Sequence, residues 1–165
     1  VFRKIKSGWY NLKNGIESLI VWFPVIWKDR QWDHVYIYQI LRHKLHLTED
    51  LIRNYGVHTK NIQDADKIKV CVDLLDRLIN DEYCDSAYKT HEDRWGVLTW
   101  KSDELDNESE TDHCLLQYPN VKTPQDKERE VKDFRRAAKH ETMLREQDLD
   151  HLFTLMRKHI QSWWD

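Results

Sequence analysis

The chain has 165 residues, 40% apolar and 33% charged with only four glycines and three prolines, which suits one ordinary domain of long helices and disfavours a sheet-dominated fold. Its formal charge of −3, from 26 basic and 29 acidic side chains, argues against general nucleic-acid binding by phosphate neutralisation and leaves local basic patches open. The longest apolar run, residues 19–27, is cut by Pro24 and falls far short of the roughly 20 residues a membrane-spanning helix takes.

From Gly8 to Phe23, apolar Trp9, Leu12, Ile16, Leu19, Ile20 and Phe23 recur every three or four residues, which predicts an amphipathic helix. Pro24 predicts a break or kink there, then a short turn through Asp29. A second helix of about six turns follows, with Trp32, Tyr36, Ile37, Ile40, Leu41, Leu45, Thr48, Leu51, Ile52 and Tyr55 on one stripe and Gly56 ending it in a left-handed turn. Thr59 is placed to cap a third helix whose buried face is Ile62, Ala65, Ile68, Val72, Leu75, Leu78 and Ile79, widened by Val70, Cys71 and Leu74.

A weaker helical segment, Asp85 to Trp95, ends at Gly96. Val97–Trp100 and Cys114–Tyr118 then read as a β-hairpin around the polar loop from Lys101 to Asp112, expected to have a mobile tip. Thr123-Pro124 with Asp126 is a helix start, and the last helix is expected to run to the end of the chain. Its first half, DKEREVKDFRRAAKHE, reads as a solvated face over a thin stripe of Val131, Phe134, Ala137 and Ala138. Its second half turns inward through Leu149, Leu152, Phe153, Met156, Ile160, Trp163 and Trp164. The expected architecture is all-α in the main, a single helical domain over residues 1–165 forming a compact bundle of about five helices with a hairpin insertion near 97–118.

Cys71, Cys84 and Cys114 form no CxxC pair and are odd in number, which fits a reducing setting. The chain begins at Val1 without methionine, so a preceding segment or removed leader stays open, and no signal-like pattern is visible. Nine histidines raise the question of metal. His43 with His46 and Asp148 with His151 each stand three apart, yet there is neither an HExxH nor a Glu-x-x-His repeat, and ordinary hydrogen-bonded histidines are the simpler expectation. No GxSxG elbow and no glycine-rich phosphate loop occur, so no catalytic residue, metal or cofactor is assigned.

What remains is aromatic and cationic recognition. LIVWFPVIWKDRQWD, residues 19–33, sets three of the eight tryptophans beside a charge cluster, and HEDRWG, residues 91–96, is a second such group. A base stacks on an aromatic ring and an arginine fork meets phosphate, so Trp27, Lys28, Asp29, Arg30, Trp32, Asp33, Tyr36, His91, Glu92, Arg94 and Trp95 are the candidate ligand-binding residues. Trp27, Trp32 or Trp95 would stack, Lys28, Arg30 or Arg94 would meet phosphate, and Asp29, Asp33 or Glu92 would hold the cations or accept from a base edge. The competing structural expectation is that Trp22, Trp27 and Trp32 wedge the corner between the first two helices while Arg30 pairs with Asp29 or Asp33. Arg3, Lys4 and Lys6 before Trp9 and Tyr10 also permit contact with a membrane surface.

In WFPVIWKDRQWD, CVDLLDRLI, HEDRWG and the terminal SWWD, the chain resembles a family of small uncharacterised proteins of tailed bacteriophages. The resemblance implies a viral origin and action in the host bacterial cytoplasm, and carries no reaction. By analogy with phage counter-defence factors, the expected function is a non-enzymatic, homo-oligomeric protein that sequesters a small cyclic nucleotide signal as a sponge, in a pocket built from the corner between the first two helices and the HEDRWG segment. The alternatives are a hydrolase using Asp33, Glu92 or His91 on a nucleotide or cell-wall substrate, and a protein-binding host-takeover inhibitor or virion component.

Overall fold

A computed structural model describes residues 2–29, 32–56, 59–102 and 114–163, with side chains from Trp9 onward and, at the hairpin, through Trp100 and again from Leu116. The order is α1 (Phe2–Ile26), α2 (Val35–Tyr55), α3 (Asn61–Asn80), α4 (Tyr83–Trp95), β1 (Thr99–Ser102), β2 (Cys114–Gln117) and α5 (Pro124–His159). The mainly helical class with a small hairpin is therefore as the sequence predicts. The chain divides into two compact units, residues 1–80 with 151–165 and residues 81–150.

In the first unit α2 and α3 form the tightest helix pair. Leu45, Thr48 and Ile52 are buried on α2, and Ala65, Ile68, Cys71, Val72, Leu74, Leu75 and Leu78 on α3, while the chain's last segment contributes buried Leu152 and Trp163. Ion pairs tie the edges: Arg42 with Asp76, and Arg53, which donates to both Glu49 Oε1 (2.7 Å) and Asp66 Oδ1 (3.0 Å). Burial pushes the Cys71 thiol up to about 11, so it packs as a small apolar side chain.

Several local expectations change. Pro24 does not break α1, which runs on to Ile26. A proline in the last turn removes a single intrahelical hydrogen bond, and the turn closes through Trp27 N–H to Phe23 O at 2.9 Å. Helix α2 starts at Val35, where Asp33 Oδ1 accepts the Val35 N–H at 2.9 Å. Gly56 is extended (φ −65°, ψ 131°), not left-handed. A glycine suits the site because a Cβ would lie 2.3 Å from Ile52 O, where the chain turns back and Asn61 Nδ2 donates to Gly56 O. Thr59 does not cap α3, which begins two residues later; Ile62 and Val70 are about half exposed instead of buried.

The largest departure is the apolar stripe of α1. Among its described side chains only Asn14, Trp22 and Val25 are even half-buried, and this narrow face, with Trp22 edge-on to His43 (4.9 Å), is the one turned to α2. Trp9, Leu12, Ile16, Leu19, Ile20 and Phe23 are each at least 50% exposed.

In the second unit α4 lies beside the first part of α5. Thr123 and Asp126 cap α5 reciprocally: Asp126 N–H donates to Thr123 Oγ1 (3.1 Å) and Thr123 N–H to Asp126 Oδ2 (3.0 Å). The Thr123 hydroxyl, donating to the same carboxylate, holds Asp126 below the usual range. The strands pair antiparallel, Thr99 opposite Gln117 and Ser102 opposite Cys114; the expected mobile tip falls largely on residues 103–113, outside the described residues. Asn120 fastens the hairpin's exit to the end of α4, donating from N–H to Trp95 O (3.2 Å) and from Nδ2 to Arg94 O (3.0 Å). Between them Gly96 adopts φ 81°, ψ 172°, a region nearly restricted to glycine, and a Cβ there would sit 2.5 Å from Pro119 Cγ. Gly96→Ala is expected to destabilise the protein by about 1–3 kcal/mol in chemical denaturation.

Candidate functional site

Helices α4 and α5 present matching rows to one groove. Ala87, Thr90, His91 and Arg94 come from α4, and Asp133, Arg136, Ala137 and His140 from α5. Both sets follow the i, i+3, i+4, i+7 spacing of one helical face. The groove holds about 370 Å³, within the range of small-molecule sites, and buried Ala87 and Ala137 form its apolar floor. Arg136 and His140 continue into a second depression of about 550 Å³ with Lys139, Thr142, Met143 and Glu146.

Asp133 organises the cations at the mouth. Its Oδ2 accepts from Arg94 (2.9 Å) and from the Trp95 indole N–H (3.1 Å), and Arg136 stands 3.7 Å from its Oδ1. Each guanidinium carries five donors, so both keep donors for an anion. Arg94 also lies over the Trp95 ring at 5.0 Å, which fixes the plane of its fork.

Behind the groove is a buried polar core. His91, 4% exposed, puts Nε2 3.3 Å from Oε1 of Glu130, itself 3% exposed, and Lys127 Nζ donates to Glu130 Oε2 at 2.8 Å. Tyr88, Tyr118 and Phe134 surround the imidazole at centroid distances of 6.5, 4.9 and 5.7 Å. Burial pushes the pKa of the Tyr88 and Tyr118 hydroxyls up, with Glu141 and Glu130 respectively adding to the effect, so both stay neutral donors. The imidazole is thus held in one orientation, its carboxylate partner fixed in turn by a lysine.

The sequence-predicted residues fall in both units. In the second, His91 and Arg94 line the groove, Trp95 is buried behind it, and Glu92 is exposed. In the first, Trp27 and Trp32 are 72% and 84% exposed, so they do not wedge the helix corner; the Trp27 ring instead leans on Phe23 at 5.1 Å. Lys28 and Asp29 are exposed, Tyr36 is half-buried and Asp33 serves the α2 start. Arg30 lies outside the described residues, as does Trp164.

Sequence reasoning passed over Glu130, Asp133, Arg136 and His140, reading their stretch as a solvated charge run. Positions 133, 136, 137 and 140 share one helical face, but nothing in that spacing says that α4 lies opposite it. Of the histidine pairs, His43 packs edge-on against Trp22, and Asp148 accepts the Tyr83 hydroxyl at 2.7 Å. Among the described residues two acidic groups stand at ligand spacing, His46 with Glu49 and Asp50, and Asp81 with Cys84 and Glu141. In the second group Arg145 donates to both Asp81 (2.6 Å) and Glu141 (2.7 Å), so a guanidinium already supplies the cation.

Comparison of the chain with protein-family models, with curated proteins and with solved structures finds no match in any of the three.

Proposed function

We propose that the protein binds a small phosphate-bearing, nucleotide-like ligand in the α4–α5 groove and holds it without turnover. The observation that carries this is the pair Arg94 and Arg136, gathered by one carboxylate at the mouth of an apolar-floored groove of nucleotide scale. Phosphate would take the guanidinium donors left free, and the apolar Ala87–Ala137 floor suits a base. The exposed Trp27 and Trp32 rings of the first unit are a separate stacking surface in the same reading. The resemblance to phage proteins makes a host cyclic nucleotide alarm signal the expected ligand and the host cytoplasm the expected place, in keeping with there being no helix among the described residues long and apolar enough to cross a membrane.

A thermal-shift screen of cyclic nucleotides tests this. Ligand at about 100 times its dissociation constant adds roughly 2.7 kcal/mol to stability, an unmistakable upward shift. In Arg94→Ala with Arg136→Ala the shift is expected to vanish, since each charge-assisted contact contributes about 1.5–3 kcal/mol, or roughly ten- to hundredfold in affinity. A flat response of the unaltered protein across the panel sinks the reading in favour of a protein partner.

One observation favours a second reading, hydrolysis. His91 lines the groove with its ring oriented by Glu130, an arrangement suited to a general base. Mass analysis of ligand released by heating decides: unchanged ligand supports sequestration, cleaved ligand that survives intact with His91→Gln supports hydrolysis.

A further inference from the structure

The exposed apolar face of α1 has an internal order that the helix's contact with α2 does not use. Trp9, Leu12, Ile16, Leu19, Phe23 and Ile26 alternate spacings of three and four residues, a heptad seam, and in the sequence the same alternation extends back to Ile5 and Phe2. All six are exposed by 50–71%, and Ile20 and Trp27, one position beyond Leu19 and Ile26, widen the seam at 67% and 72%. The residues turned to α2, Asn14, Trp22 and Val25, lie on another side of the helix. The best apolar stripe of α1 thus has no partner within its unit among the described residues.

We infer that this seam is a homodimer interface, its occupant being α1 of a second copy of the chain. This does not depend on the groove reading. Three aromatic rings, at roughly 150–250 Å² each, and five aliphatic side chains offer on the order of 800 Å² of apolar surface, the area per partner of a stable interface. The seam is also its own complement. With α1 antiparallel about a two-fold axis at Asn14, Trp9 meets Leu19 of the second copy and Leu12 meets its Ile16, as an isologous contact requires.

Charge favours that direction. Arg3, Lys4, Lys6 and Lys13 all belong to the first half of the helix, whereas residues 19–27 carry no charge. An antiparallel pair sets each basic half beside one whose single charge is Glu17 and keeps the two cationic ends apart.

Sedimentation equilibrium of the full chain is expected to give twice the 20.2 kDa monomer mass. Leu12→Glu with Leu19→Glu is expected to give monomer with unchanged far-ultraviolet circular dichroism, because both positions are exposed in the single chain. Ile37→Glu, on an exposed site of α2, should leave the dimer intact. Trp9→Cys and Leu19→Cys chains, mixed under oxidation, should link to each other, with the joined peptides identified by mass spectrometry. A monomeric unaltered protein overturns the proposal, as does a dimer that survives the double substitution. So does a monomer that floats with phosphatidylcholine–phosphatidylglycerol vesicles and loses that property in the double variant, since the seam would then face lipid. Trp9→Cys linking to itself overturns the antiparallel geometry.

Discussion

Trp95→Ala is expected to lower the unfolding free energy by about 3–5 kcal/mol, the range for removing a large buried aromatic side chain. The indole is 4% exposed and donates to Asp133, and Arg94 lies over its ring. Deleting it opens a cavity and frees the carboxylate that gathers the groove's cations. Trp95→Phe keeps most of the volume and loses the N–H, so its expected cost is about 0.5–1.5 kcal/mol. Urea denaturation of the two variants separates a core role from a ligand platform. A platform would show a loss of ligand affinity with stability unchanged, whereas the structure predicts that stability falls first and ligand affinity follows through the disordered Arg94.

Leu75→Ala is expected to cost about 2–5 kcal/mol in the first unit. Leu75 is fully buried in the middle of α3, between Ile68 and Leu78 along the same face, and α3 packs along α2, so the surroundings have little room to collapse into the void. Val70→Ala on the same helix, at a position 41% exposed, should stay within about 0.5 kcal/mol. If the two substitutions cost the same, the α2–α3 packing described above is wrong. The contrast is sharp because both residues are apolar and the spacing predicts both to lie on the buried face.

That pair shows what periodicity can and cannot tell. The stripe on α3 marks a helix and roughly a third of its circumference, but which apolar residues at the stripe's edges are covered depends on the width of the neighbour. Val70 and Ile62 stay 41% and 49% exposed, whereas Ala65, Ile68 and Leu75 are fully covered. On α1 the limit is more severe. Trp9 through Phe23 were legible as one apolar face, yet the helix meets α2 through Asn14, Trp22 and Val25. A hydrophobic stripe says that something must cover it; it does not say that the covering element belongs to the same chain.

The candidate site divides in the same way. HEDRWG stands out in the sequence as a group of aromatic and cationic side chains, and two of its members, His91 and Arg94, do line a groove. Trp95 came with them in sequence and faces inward, since successive residues of a helix point about 100° apart. Asp133, Arg136 and His140 were invisible as a group because a charge run on a long helix satisfies every expectation of a solvated face.

Sequence alone determined the helical class, the C-terminal end of α4, the start of α5 and the hairpin between them, because those features rest on local chemistry: a glycine just past the last helical residue, a threonine–aspartate cap, two short β-prone runs. The tertiary structure alone decided that Glu130 is buried against His91, that Asp133 draws two arginines to one groove, and that the strongest apolar seam of α1 is turned away from its own unit. Each of those depends on which helix lies beside which. Contacts between residues nearly forty positions apart, as Arg94 and Asp133 are, arise from packing the whole chain and leave no mark on the spacing within either segment.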